Sequence, residues 1–296
     1  MQEVSQNQRS GNPLSDAQRA QVLVEALPYI RKYHDKVIVV KYGGSAMLSD
    51  ERKRQVMGDI ALLHLVGIRV VLVHGGGPEI SELLGKLGKQ TEFVGGLRVT
   101  DRETAEAVQM VLAGKINKGL VALMETYGRH AIGLSGMDGR MILARQLDPR
   151  LGFVGEIVSV DPLPVLAVLE NGYIPIVSTL GCDKEGNVYN INADTAAAAI
   201  AAALGAESLI SMSDIPGLLR DVNDEASLVR RVRLDEVPAL VAEGVISGGM
   251  IPKVECCVQA LRGGVRRVFI LDGRVEHSIL MEVLTDAGIG TMFVGE

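Results

Sequence analysis

Residues 37–41 and 69–73 are short, almost wholly apolar runs, and each empties into bare glycine: Gly43-Gly44 beyond Lys41, and Gly75-Gly76-Gly77-Pro78 beyond His74. Runs this short and apolar fit strands covered on both faces, as in a parallel sheet sandwiched by helices. Glycine at a strand's end lets the backbone adopt conformations closed to other residues and lets N–H groups approach an anion closely. A helix expected after Pro78 adds its positive N-terminal end. The pattern constrains the chain to an α/β fold and marks a place to hold phosphate, with Lys41 beside the first loop. Glycine turns that merely join strands to helices would look similar singly; two such loops and a lysine favour the anion.

The alternation continues along the chain. Strands are expected at 37–41, 69–73 and 131–135, and helices at 50–65, 78–87, 101–113 and 115–127. Residues 141–144, 153–160, 174–178 and 188–191 read as short strands broken by Gly, Asp-Pro and Asn-Gly turns, suited to a lid or pocket wall. An alanine-rich helix at 195–204 precedes a second alternating stretch. Its strands fall at 208–212, 267–271 and 291–294, and its helices near 235–243, 252–261 and 277–284. We therefore expect a mostly parallel sheet shared by two lobes, 34–205 and 206–296, preceded by a tail and helix over 1–33. In that helix, apolar Ala20, Leu23, Val24, Leu27 and Ile30 recur at helical spacing over 14–33, and Pro28 is expected to kink it. It either covers the lobe or packs against another subunit.

Composition excludes several classes. With 47% hydrophobic residues, the 296-residue chain can bury a large core, and 36 acidic against 30 basic residues offer nucleic acid no general attraction. The polar start, residues 1–12, has no hydrophobic signal region. The most apolar stretch, 195–204, is too short to cross a bilayer, so no membrane is expected and a cytoplasmic setting is. Cys182, Cys256 and Cys257 form neither a CxxC pair nor an even framework and read as reduced, buried thiols.

The glycine loops match neither GxxxxGK[ST] nor GxGxxG, so phosphate must be held another way. Gly248-Gly249 precedes an apolar-periodic helix that places Lys253 in its first turn. A cation there is unfavourable unless an anion sits nearby, although a solvated surface lysine is the plain alternative. Asn190, Asn192 and Asp194 alternate between a strand and a helix. One can cap the helix; together they can face a ligand from an extended segment, with Asp194 orienting lysines by charge. Arg98, after Gly95-Gly96 and before a helix that Thr100 or Asp101 can cap, either pairs with a surface carboxylate or grips a substrate carboxylate with its fork of donors.

Lys41-Tyr-Gly-Gly44, His74-Gly-Gly-Gly77, Gly96-Leu-Arg-Val-Thr100, Asn190-Ile-Asn-Ala-Asp194 and Gly248-Gly-Met-Ile-Pro-Lys253 occur in one order with compatible spacing. In these five motifs the chain resembles the acetylglutamate kinases of the amino acid kinase family over essentially its whole length. The resemblance implies a three-layer αβα sandwich with an acetylglutamate lobe followed by an ATP lobe. It also implies transfer of the γ-phosphoryl group of MgATP to the γ-carboxylate of N-acetyl-L-glutamate, the second step of arginine biosynthesis. Such transfer between anions asks for alignment and positive charge rather than covalent help, and the nucleophile is already ionised.

By the same resemblance, Lys41 and Lys253 stabilise the transition state and Asp194 holds both. Gly44 and Gly76 donate N–H groups to the moving phosphoryl. Gly44, Gly76, Gly77, Arg98, Asn190 and Asn192 take the acetylated amino acid, while Gly43, Gly44, Ser213, Asp214, Gly248, Gly249 and Lys253 take the nucleotide. No protein metal ligand is assigned, because Mg2+ is held mainly by phosphates. The N-terminal helix and the stretches 272–277 and 285–291 are similar to those of arginine-inhibited members, which implies a hexamer built as a trimer of dimers. Arginine is then expected at Tyr29, His277, Glu282, Gly288 and Gly290; otherwise His277 caps a helix and Glu282 is solvated. Some photosynthetic relatives are controlled by a PII signalling protein, a further candidate partner. A glutamate, carbamate or uridylate kinase, a non-catalytic amino acid sensor or a partner-binding scaffold would share parts of this pattern. Arg98 with Asn190 favours an acetylated acceptor, and Lys41, Asp194 and Lys253 favour turnover.

Overall fold

The computed structural model describes residues 15–47, 49–286 and 288–295; the polar start and Leu14 of the expected first helix lie outside them. The elements in chain order begin with α1 (Asp16–Tyr33), β1 (Val37–Tyr42), α2 (Asp50–Leu65), β2 (Arg69–His74), α3 (Gly77–Lys86), β3 (Phe93–Val94) and β4 (Leu97–Arg98). Next come α4 (Arg102–Gln109), α5 (Asn117–Glu125), β5 (Ala131–Ser135), β6 (Ile142–Gln146), β7 (Gly155–Val160), α6 (Leu163–Glu170), β8 (Ile174–Ser178), β9 (Leu180–Cys182) and β10 (Val188–Asn190). The remainder is α7 (Ala193–Ala203), β11 (Ser208–Ser213), β12 (Arg231–Arg233), α8 (Val237–Ala242), α9 (Met250–Arg262), β13 (Arg267–Asp272), α10 (Ser278–Leu284) and β14 (Thr291–Val294).

Among the described residues, eight strands form one sheet in the order β12-β14-β13-β11-β1-β2-β8-β5. Every pairing is parallel except that of β13 with β14. Alternate residues of a strand face opposite sides. Accordingly Ile38, Val40, Val70 and Leu72 join one core, while Val39, Val71 and Val73 join the other. Val56, Met57 and Ile60 of α2, with Leu120 and Met124 of α5, cover the first face. Ala196, Ala197 and Ile200 of α7, with Val254 and Cys257 of α9, cover the second. This is the expected three-layer αβα sandwich. A four-stranded sheet, β10-β9-β6-β7, and the β3–β4 hairpin stand beside it.

Several expectations change. The helices expected at 101–113 and 115–127 are one continuous stretch, Arg102–Glu125, carried through its middle by a π segment at Met110–Ile116. By length and composition alone this stretch is long and apolar enough to cross a bilayer, which the shorter 195–204 run is not. Here Val108, Val111, Leu112, Leu120 and Met124 are buried in the core. Pro28 sits inside a continuous α1, and a Ser15–Gln18 capping box starts that helix. Cys182 and Cys257 are buried and Cys256 is half-buried, all with free thiols.

Candidate active site

β1 lies between β2 and β8 on one side and β11 and β13 on the other, and the chain leaves it for β2 before later filling the other side. Loops leaving the carboxyl ends of strands part at such a point and open a crevice, where α/β sheets bind ligands. Lys41 lies at that end of β1, Asp194 opens α7, and Lys253 occupies the first turn of α9. These three side chains meet. Lys41 Nζ is 3.0 Å from Asp194 Oδ1 and Lys253 Nζ is 3.5 Å from Oδ2. Ser211 Oγ donates to Oδ1 at 2.9 Å, and Lys41 Nζ also reaches the Met212 carbonyl at 3.5 Å. Burial works against the Asp194 charge, yet Lys41, then Lys253, with hydrogen bonds from Lys41 and Ser211, holds its carboxyl below the usual value.

The segment before Asp194 folds differently from its alternating pattern. β10 stops at Asn190 and α7 starts at Ala193, so the three polar side chains do not share one face of an extended strand. Asn192 Oδ1 accepts from the N–H groups of Asp194 (2.9 Å) and Thr195 (3.1 Å), capping α7. Asn190 Nδ2 donates to Thr100 Oγ1 at 3.3 Å. Asp194 alone turns to the lysines, and its place in a helix's first turn suits its negative charge.

Two cavities flank this charge cluster. The smaller, about 180 Å³, is lined by Gly75, Gly76, Gly77, Arg98, Asn190 and Asn192 among others. The N-termini of α3 and α7 both open onto it. A Cβ on Gly76 would lie 2.2 Å from Ile116 Cδ1 and 2.8 Å from Leu112 Cδ2, so a side chain there would require those two residues to shift. Arg98 is on β4 rather than in a loop before a helix, and it is buried. Its guanidinium donates to the Gly77 carbonyl (2.8 Å), Ser81 Oγ (2.8 Å) and Thr91 Oγ1 (3.1 Å), and lies 4.8 Å from the Phe93 ring centre. Burial pulls its pKa down, a cost that an anion arriving in the cavity would recover. Among the described residues, no carboxylate forms an ion pair with it.

The larger cavity, about 520 Å³, is lined by Asp214, Leu218, Gly249, Met250, Lys253 and Arg274 among others. Ser213 ends β11, and its hydroxyl donates to Asp214 Oδ1 at 3.3 Å; Gly248 takes the left-handed conformation (φ 51°) one residue before the N-cap of α9. Gly43 and Gly44 stand at the end of β1 rather than in this lining. A Cβ on Gly43 would lie 3.7 Å from Gly75 N, so the two glycine loops lie against each other. Lys41, Asp194 and Lys253 line a small void of about 10 Å³ together with Ser211, Cys256 and Cys257; Lys253 also lines the larger cavity, and Asn192 and Ala193, just before Asp194, line the smaller.

Residues 36–272 match the amino acid kinase family. The chain belongs to that family. An acetylglutamate kinase of Brachyspira hyodysenteriae is 54% identical over 282 residues, covering 95% of this chain and 98% of the relative. Among solved structures, N-acetylglutamate synthase from Neisseria gonorrhoeae complexed with coenzyme A and N-acetyl-glutamate is 28% identical with a TM-score of 0.81. That match covers 94% of this chain and 63% of the synthase. The same synthase complexed with coenzyme A and L-arginine is 27% identical with a TM-score of 0.78, over 94% and 65% of the two chains. The chain thus spans less than two thirds of the synthase it matches and nearly all of its curated kinase relative.

In this family member the five residues expected to hold arginine divide. Tyr29 of α1 lies near the Asp286 carboxylate, which raises the phenol's pKa. Glu282 of α10 accepts from the Ile289 N–H at 3.0 Å, and a Cβ on Gly288 would come within 3.7 Å of its carboxylate. These three residues belong to the ground between α1, α10 and the approach to β14. His277 turns elsewhere: its Nδ1 is 2.7 Å from the buried Asp59 Oδ1 of α2, and its side chain does not cap α10. Gly290 has a packing role, since a Cβ would sit 2.1 Å from the Ile270 carbonyl oxygen. The sequence pattern assigns no role to Ser211, Phe93 or Asn117, and names His74 only as the start of its glycine motif. His74 had a signal, a histidine closing a strand of valines.

Proposed function

We propose that the protein is an acetylglutamate kinase that uses ATP to phosphorylate the γ-carboxylate of N-acetyl-L-glutamate in arginine biosynthesis. One observation carries the site assignment: a single largely buried carboxylate, Asp194, draws together ammonium groups from β1 and α9, with Lys253 in the lining of the larger cavity and Asn192 and Ala193, just before Asp194, in that of the smaller. The smaller cavity takes the acetylated amino acid, with Arg98 gripping its α-carboxylate and Gly77 and Asn190 completing the contact. The larger takes the nucleotide at Asp214 and Gly249, which line it, with Ser213 and Gly248 next to them in the chain. Lys41 and Lys253 neutralise charge on the phosphoryl group in flight, and the N–H groups of Gly44 and Gly76 receive its equatorial oxygens. The acceptor is ionised at neutral pH, so no general base is needed. Mg2+ is assigned to the nucleotide's phosphates, and among the described residues no cluster of three His, Cys, Asp or Glu side chains competes for it. The lobes divide at 205/206, and the setting is the cytoplasm. A coupled ADP-release assay with N-acetyl-L-glutamate and L-glutamate side by side tests the assignment; equal turnover of the two would overturn the acceptor.

Arginine feedback on this activity is the finer part of the reading. It is supported by the nearness of Tyr29 to Asp286 beside Glu282 and Gly288, and by the arginine complex of a relative with the same fold. The exposed Val22, Leu23, Val24 and Leu27 of α1 suit a helix exchanged between dimers in a hexamer. Titrating arginine against activity with and without residues 1–33 tests both, and equal inhibition of the two forms removes α1 from the mechanism. The same assay with a PII signalling protein added tests that partner.

A further inference from the structure

His74 closes β2 with none of its surface exposed, and burial drives its pKa down to about 4, so the imidazole is neutral at physiological pH. Nδ1 lies 3.0 Å from the Gly75 carbonyl oxygen, and Nε2 lies 3.2 Å from Asn117 Nδ2. A carbonyl oxygen only accepts, so Nδ1 carries the proton and Nε2 accepts from Asn117. The amide orientation is fixed independently. Asn117 Nδ2 also lies 2.8 Å from the Ile176 carbonyl and 3.2 Å from the Leu134 carbonyl, where an amide oxygen would face two other oxygens. Its two hydrogens serve three acceptors, so one is shared, and Asn117 Oδ1 is left buried without a hydrogen-bond partner among the described residues. Asn117 directly follows the π segment whose Leu112 and Ile116 press on Gly76. One short stretch therefore holds the glycine loop from two directions.

The loop's backbone shows what the histidine controls. Gly75 N–H donates to the Tyr42 carbonyl at 3.1 Å, and the Gly76 carbonyl accepts from Ile80 N–H at 3.0 Å. Among the described residues all peptide bonds are trans, and in a trans peptide C=O and N–H point in opposite directions. With the Gly75 carbonyl drawn to His74, the Gly76 N–H is turned away from the imidazole. We propose that Asn117 and His74 are positioning residues: Asn117 holds the His74 imidazole as its Nδ1–H tautomer, and that proton fixes the Gly75–Gly76 peptide so that the Gly76 N–H faces the transferring phosphoryl group. This rests on the role proposed above for Gly76.

The test begins with the unaltered protein. In 15N-histidine-labelled enzyme at neutral pH, His74 should give the Nδ1–H tautomer; the Nε2–H tautomer overturns the proposal. Two variants then separate positioning from packing. An asparagine amide reaches where Nδ1 was, whereas a glutamine amide reaches where Nε2 was. His74→Asn should therefore keep kcat within about threefold, and His74→Gln should lose about 100-fold, the effect of a misplaced group near the reacting atoms, with KM for ATP little changed. Equal turnover of the two variants overturns the proposal. Lys41→Met run alongside separates this from the underlying site assignment: retained turnover there sinks the whole site, whereas loss there with equal His74 variants sinks only the positioning.

Discussion

Replacing Asp194 by asparagine keeps the shape of the side chain and removes the charge that two lysines share. At an effective dielectric of about 20, unit charges at the observed 3.0 and 3.5 Å attract by roughly 5 kcal/mol each before desolvation is counted. Desolvation of the buried carboxylate offsets most of this, and removing one partner of a buried pair costs about 3–5 kcal/mol. Lys253 is about a quarter exposed, so the lower end applies. If about 3 kcal/mol is lost at the transition state, where both amines must converge on the phosphoryl group, kcat falls by roughly 100-fold. KM for the acetylated substrate should move by no more than about threefold, because its cavity is formed by other residues. Coupled ADP-release kinetics read both numbers. Turnover within about threefold of wild type would refute the idea that this carboxylate sets the lysines. Stability gives a second check with a defined sign. The folded pKa of Asp194 is depressed, so its contribution is full above the ordinary value of 3.8 and is lost as pH falls through the lower folded value. The difference in Tm between wild type and Asp194→Asn should be present at pH 7 and close in acid.

Arg98→Lys removes the fork that reaches Gly77, Ser81 and Thr91, and should raise KM for N-acetyl-L-glutamate by about 10- to 100-fold with a smaller change in kcat; an unchanged KM would take Arg98 out of acceptor binding. Asp101→Ala removes the cap that Thr104 N–H donates to at 2.8 Å and should lower stability by about 1 kcal/mol at neutral pH. Because Lys89, then Thr104, depresses its pKa to about 2, the difference should persist above 3.8 and vanish as pH falls through about 2, as followed by denaturant midpoints. Gly290→Ala drives a Cβ to 2.1 Å from the Ile270 backbone, which cannot step aside as a side chain would. A loss of about 1–3 kcal/mol is expected, and an unmoved midpoint would contradict the close approach.

The central strands were legible because burial on both faces leaves an uninterrupted apolar run, and β5, β8 and β14 fall at the residues read from the sequence. The β3–β4 hairpin, β9 and β12 were not legible, since two or three residues carry no measurable period. The break read between 113 and 115 was wrong for a different reason: Gly114 and Lys115 interrupt the α-helical pattern, but a wider π turn accommodates them without ending the helix. In the site, motif residues mark which chemistry is present, and Lys41, Asp194 and Lys253 converge as their residue types suggested. What pattern alone misses is how a side chain is used. Asn192 serves a helix end, His277 pairs with Asp59, and Ser211 steadies Asp194, all fixed by contacts distant in sequence.

The last strand occupies an inner position: Thr291–Val294 lies between β13 and β12. During synthesis, Arg231–Arg233 therefore has no neighbour in the sheet until a segment some sixty residues later, by difference of these numbers, has left the ribosome. The β13–β14–β12 end of the sheet would consequently be completed late, while the strands from β1 to β8 can already pair, and premature termination just before Thr291 should leave an exposed β13 edge as the sticky product.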